Sequence, residues 1–222
     1  MNPHYNHFYT HQRPWVTLKT AMSLDGKTNA AGDARTLISN QASYADSQRL
    51  RSQFQALLIG ERTLTIDDPQ LTVRLLAMIH PPVRLIVLNT SAVARDRRIL
   101  RETTGETWLL CRQASASDAS LQALPNVEVR IGDWTPAAIS ELCVQHGWQS
   151  LLVEGGAHLQ ADFVAANLID EWVSYIAPTM IGGAGLPAVM GAVPTEQLAF
   201  EQPTLKWLGT DLRLRAVRKG VE

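Results

Sequence analysis

Glu154, Gly155 and Gly156 stand where an apolar strand gives way to a helix, in the stretch SLLVEGGAHLQADFVAANLIDEW (150–172). Leu151, Leu152 and Val153 read as a buried strand end. Leu159, Phe163 and Ala166 then recur at helical spacing, so the period changes within a few residues. Two glycines let a ligand approach the backbone closely, and the helix behind them offers free N–H groups and a positive dipole end, which suits a pyrophosphate. A carboxylate aimed into the same space would repel that ligand. Glu154 must then face the other way, towards a second ligand with hydrogen-bond donors. The alternative is a helix-start acid stabilised by the dipole by ~0.3–1 kcal/mol.

Two further stretches carry chemistry. In LLIGERTLTIDDPQLTVR (57–74) a strand ends at Gly60, a short polar turn follows, and Asp67-Asp68-Pro69 stops it. Adjacent acids before proline are often only a turn. Here they follow a buried strand, where a cleft is expected, and Arg74 is near enough to balance charge or grip a phosphate. In RPWVTLKTAMSLDGKT (13–28), Lys19 sits mid-strand among apolar neighbours, either on a wet face or in a site. His4, His7 and His11 could share a helical face, but no acid or cysteine joins them, so they read as an arm, floppy or packed, and no metal site is expected.

The elements that must position these residues follow from pattern. A first strand runs from Trp15 to Met22, and Asp25-Gly26 turns the loop after it. Ser39 or Asn40 caps a polar helix reaching about Phe54. The segments 56–60, 83–89, 107–111 and 127–131 are short apolar strands. Thr135-Pro136 opens a helix that Gly147 ends, with Ile139, Leu142, Cys143 and His146 on its inner stripe. The chain closes in two alternating strands around Gly209-Thr210-Asp211, an antiparallel hairpin. The expected fold is α/β: a mostly parallel sheet with an antiparallel edge and helices on both faces. Ligands then lie beyond the carboxyl ends of the strands.

The 222 residues suit one sizeable domain, read as an arm over 1–12 and a single domain over 13–222. Apolar residues are 45% and charged ones 18%, and 20 Lys+Arg face 21 Asp+Glu, so no overall field recruits nucleic acid or an anionic membrane. No apolar run approaches ~18 residues and no export signal is read, giving a cytoplasmic expectation. Cys111 and Cys143 are then reduced core thiols.

Together the motifs resemble the RibD C-terminal reductase domain of riboflavin biosynthesis, from Arg13 to about Val217. RPWVTLKTAMSLDGK, ADSQRLRSQFQALLIGERTLTIDDPQLTVR, LLVEGGAHL and LIDEWVSYIAPTMIGG appear in the family's order and spacing. The resemblance implies a dihydrofolate-reductase-like three-layer α/β/α fold and a homodimer. It implies NADPH as cofactor, reducing the small-molecule substrate 5-amino-6-(5-phosphoribosylamino)uracil to its ribitylamino form. Gly155, Gly156, Ala157, His158 and Leu159 would border the cofactor, with Ala21, Thr63, Asp67 and Thr90. Arg51, Leu71, Arg74 and Glu154 would meet the substrate, the arginines suiting its phosphate. Lys19 and Glu154 are the catalytic candidates. The chain departs from the family in DARTLISN (33–40), where Leu37 replaces a cofactor-contacting Trp and a substrate Ser has no counterpart. No His-x-Glu with Pro-Cys-x-x-Cys is present, so deamination is expected from a separate chain. Two other readings stay open: a reductase of the same fold acting on a pterin or another small substrate, and a non-catalytic nucleotide-binding protein.

Overall fold

The computed structural model describes residues 3–32, 34–89, 93–112, 119–191 and 197–220. Helix α1 (Pro3–His11) precedes the central strand β1 (Trp15–Ser23), a short β2 (Lys27–Asn29) and α2 (Gln41–Arg51). Then come β3 (Ala56–Gly60), α3 (Glu61–Asp67), β4 (Val83–Leu88), α4 (Arg98–Arg101), β5 (Thr107–Cys111), α5 (Ala119–Gln122) and β6 (Val127–Ile131). The chain continues through α6 (Pro136–Gln145), β7 (Ser150–Gly155), α7 (Ala157–Ala165), β8 (Glu171–Ala177) and β9 (Leu186–Pro187). It closes with β10 (Phe200–Leu208) and β11 (Asp211–Arg218).

Among the described residues one sheet has the order β10-β11-β8-β1-β7-β3-β4-β5-β6, and β2 pairs with β9 separately. Strands from β8 to β6 run parallel; β11 and β10 add an antiparallel edge. The chain steps outward from β3 to β6, then returns to insert β7 between β1 and β3. The carboxyl ends of β1, β7 and β3 therefore lie side by side at a reversal of strand order, where open sheets leave a crevice.

Alternation along the strands feeds two cores. Leu57, Ile59, Ile86, Leu152 and Tyr175 pack with Leu50 and Phe54 from the α2 side and with Leu64 of α3 and Ile99 of α4. Val16, Leu18, Leu58, Leu85 and Val153 pack against Ile139 and Cys143 of α6 and Leu159 and Phe163 of α7. The result is the expected three-layer α/β/α arrangement. Thr135 caps α6 by accepting from Ala138 N–H, with Pro136 in its first turn, and Gly147 follows at φ +68°. Cys111 and Cys143 are buried free thiols, and burial pushes Cys143 up to about 12.

The open expectation for the arm is narrowed, and that for the turn after Gly60 changes. The amino-terminal arm is a helix from residue 3, seated under β1: Phe8 and His7 are buried, and the His4 and His7 rings lie 5.9 and 5.2 Å from Trp15. Burial pulls His7 down to about 4. The polar turn after Gly60 is a helix as well, ended by Asp68 in the left-handed region at φ 39°.

Candidate active site

The end of β7 makes the site through a break in pairing. Leu58 of β3 pairs with Val153, but Ile59 pairs with Gly155, so Glu154 is an extra residue in the ladder. Such a bulge re-aims a side chain. Glu154 turns to the α2 side, where Arg51 Nε donates to its Oε1 at 2.6 Å and Nη2 to Oε2 at 2.7 Å. Both side chains are largely buried, 12% exposed for Arg51 and 4% for Glu154. Burial alone would push the Glu154 carboxyl up; Arg51's charge and hydrogen bonds, with Lys19's charge, outweigh it and hold the group below its usual range. Arg51 Nη1 also reaches Thr72 O, so protein groups hold this guanidinium on three sides where it lines the cleft.

Lys19 is half-buried on the same side of β1. Burial pulls its ammonium below the ordinary lysine range, and Arg51 and Arg35 add to the shift against the opposing charge of Glu154. Its Nζ lies 5.6 Å from the centre of the Tyr175 ring and has no hydrogen-bond partner among the described residues. Tyr175 is fixed from behind, its hydroxyl donating to Asp46 at 2.9 Å, and Asp46 is gripped in turn by Arg213 and Lys206.

On the other side of the bulge the backbone opens. Gly156 sits at φ +88° and precedes α7 with no side chain capping the helix, so the first N–H groups of α7 are left for solvent or ligand. Gly155 packs against α3: a Cβ there would fall 2.6 Å from Thr63 Oγ1. Gln160, further along α7, donates Nε2 to Lys19 O at 3.3 Å and leaves its buried Oε1 without a partner among the described residues.

One cleft of about 1130 Å³ joins these features. It brings together Lys19, Ala21, Leu37, Arg51, Thr63, Asp67, Leu71, Arg74 and the run from Glu154 to Leu159. Thr90 lies outside the described residues. Leu37 is 79% exposed at the cleft mouth, while Leu71 is buried at φ 52°. Burial raises Asp67, and Arg35, 3.7 Å away, opposes it. Arg74 is an exposed arginine of the cleft, its guanidinium 5.5 Å from the Tyr44 ring and its Nη1 donating to Gln70 Oε1 at 2.6 Å. Sequence reading missed Tyr44, Ser47 and Gln48 on α2, and Arg112 and Trp134 at the far end, all of which line the cleft. Tyr44, Ser47, Gln48 and Arg51 do share one helical face by spacing, but an apolar-period reading passes over a polar stripe.

A family model described as the RibD C-terminal domain matches residues 14–214. The chain belongs to this family. It is 33% identical over 233 aligned residues to the riboflavin biosynthesis protein RibD of Bacillus amyloliquefaciens, covering 99% of this chain and 61% of that one. A structure of Acinetobacter baumannii RibD is similar with a TM-score of 0.85 and 28% identity, over 98% of this chain and 62% of that chain. A dihydrofolate reductase from Enterococcus faecalis matches at TM-score 0.51 and 10% identity, over 92% and 96%, and shows the shared fold. The chain thus spans about three fifths of the length of each of these two RibD proteins.

Proposed function

We propose that this RibD C-terminal domain is an NADPH-dependent pyrimidine reductase, converting the phosphoribosylamino group of 5-amino-6-(5-phosphoribosylamino)uracil to the ribitylamino form. The observation that carries the reading is the bulge at Glu154: it turns a charged wall of Lys19, Glu154 and Arg51 to one side of a strand end and the open start of α7 to the other.

The residues present fit a dinucleotide. Gly155 has no room for a side chain, Gly156 is left-handed, the start of α7 is uncapped, and the buried Gln160 Oε1 offers an acceptor beside β1. Gly155 to Leu159 and Thr63 would hold the pyrophosphate, Ala21 and Gln160 would border the nicotinamide, and Arg98 and Arg112 line the end suited to a 2′-phosphate. NADPH supplies a hydride when bound. The protein excludes water and aligns the sugar C1′ of the opened, imine form. Hydride addition at C1′ leaves the former imine nitrogen needing one proton. Lys19, with no hydrogen-bond partner among the described residues and acidified by burial, is the donor; Glu154, held ionised by Arg51, orients the substrate's donors and keeps Lys19 charged. Arg74 meets the phosphate at the cleft mouth.

A homodimer fits the sheet edge. Leu205 and Trp207, 63% and 73% exposed, form with their cross-strand partners Leu214 and Leu212 an apolar strip on β10 and β11.

NADPH oxidation followed with the phosphoribosylamino uracil and with dihydrofolate, side by side, tests the activity. The proposal predicts oxidation with the first alone. Oxidation with dihydrofolate alone assigns a pterin reductase, and NADPH binding without oxidation by either assigns a nucleotide-binding protein.

A further inference from the structure

Gln48 lies on α2 one turn before Arg51, fully buried in the cleft wall. Its Oε1 accepts the backbone N–H of Arg74 at 3.0 Å. That bond decides which way the amide points, because a flipped carboxamide would set two donors against each other. The Nε2 is therefore held away from Arg74, and it has no hydrogen-bond partner among the described residues although it is buried. Native proteins seldom leave a buried donor unmatched, and in a cleft wall a bound ligand is one group that can supply the acceptor.

The neighbours indicate the kind of acceptor. Burial falls along this wall from Gln48, at 0%, to Arg74, which is exposed at the opening. A doubly charged phosphate stays partly hydrated and suits Arg74 at the mouth. The closed end offers a neutral amide, with Leu71 buried nearby, and suits a flat heterocycle whose carbonyl needs one good donor.

We propose that Gln48 Nε2 donates to a ring carbonyl oxygen of the pyrimidine and is a specificity-determining residue. The inference rests on the proposed pyrimidine reductase activity and adds a ring-reading group to it. One side chain then serves two purposes: its oxygen pins the Arg74 backbone, and its nitrogen reads the heterocycle.

Gln48→Glu separates them. A carboxylate still accepts from Arg74 N–H but carries no donor, whereas Gln48→Met loses both. With 5-amino-6-(5-phosphoribosylamino)uracil, KM should rise roughly tenfold to a hundredfold in Gln48→Glu while kcat changes less than about threefold, the pattern of a lost binding contact that strands a polar partner. NADPH affinity, read by tryptophan fluorescence, should stay within about twofold in both variants. Ribose 5-phosphate, which has the sugar and phosphate but no ring, should inhibit Gln48→Glu as well as it inhibits the wild type, and Gln48→Met less well because Arg74 is loosened. If the wild type turns over but Gln48→Glu keeps its KM, the amide makes no contact with the ring and the inference is overturned. Weaker ribose 5-phosphate inhibition of Gln48→Glu would give the amide to the phosphate and overturn it as well. Absence of wild-type turnover overturns the proposed activity, and the inference with it.

Discussion

Arg51 and Glu154, 103 residues apart in sequence, meet as a two-point ion pair that closes one side of the cleft. Removing Arg51 therefore does more than remove a substrate contact. Arg51→Ala should cost about 3–5 kcal/mol of stability, because it leaves a buried carboxylate uncompensated. Arg51→Ala with Glu154→Gln should recover part of that loss. Urea unfolding of the two single variants and the double variant measures the coupling; additive losses would mean the pair is not interacting.

Gly155 is the second test of local geometry. Thr63 Oγ1 and Cγ2 would lie 2.6 and 2.8 Å from an added Cβ, so Gly155→Ala must push α3 away from β7. The expected cost is about 1–3 kcal/mol with weakened NADPH binding. Adding Thr63→Ala leaves only the Thr63 Cβ at 3.2 Å and should restore much of the stability without restoring NADPH affinity. Thermal melts and fluorescence titration of both variants separate crowding from ligand contact.

How far the sequence reaches can be judged from single elements. Helix α6 is legible because Thr135, Pro136 and Gly147 are local signals and its inner stripe is apolar. Helix α2 is legible as a helix but not as to its inner face, since its buried positions are Ser43, Asp46, Ser47, Gln48 and Leu50. Their partners, Asp211 for Ser43 and Tyr175 for Asp46, stand 168 and 129 residues away. The bulge at Glu154 is invisible for a related reason: it is a property of pairing with β3, not of β7 alone. Helix α1 owes its place to Trp15 and Phe54, which a periodicity reading of residues 3–11 does not contain. The cleft residues were legible through the family motifs, and the polar stripe of α2 was not.

Lys19 gives the pH dependence. With its folded pKa below the unfolded value near 10.4, the unfolded chain binds more protons between those two values, so stability rises with pH across that window. Lys19→Met should thus be at least as stable as the wild type at neutral pH. Turnover should run the other way, holding at low pH and falling as Lys19 loses its proton, below the pH where an ordinary lysine titrates. A pH–rate profile of kcat beside melts of Lys19→Met checks both signs; an alkaline limb retained in Lys19→Met would remove Lys19 as the donor.

Asp25 controls the loop after β8. It accepts from Ser23 Oγ and from the N–H groups of Ile181 and Gly182, and these bonds, the serine's first, bring its pKa down to about 2. The clamp is fully formed above the unfolded carboxyl pKa near 3.9 and is lost as pH falls through about 2. Amide exchange at Ile181 and Gly182 should stay slow at pH about 4 and become fast near pH about 2; Asp25→Ala should exchange fast throughout. Unchanged exchange in Asp25→Ala would show that the loop is held by other contacts.

The most direct test of the proposed reaction is the fate of the hydride. NADPH deuterated at the transferred C4 position, incubated with 5-amino-6-(5-phosphoribosylamino)uracil and the enzyme, should give a ribitylamino product carrying deuterium on C1′, one deuteron per NADPH consumed. A product without deuterium at C1′, or NADPH consumed with no ribitylamino product, would contradict a cleft that aligns the hydride with that carbon.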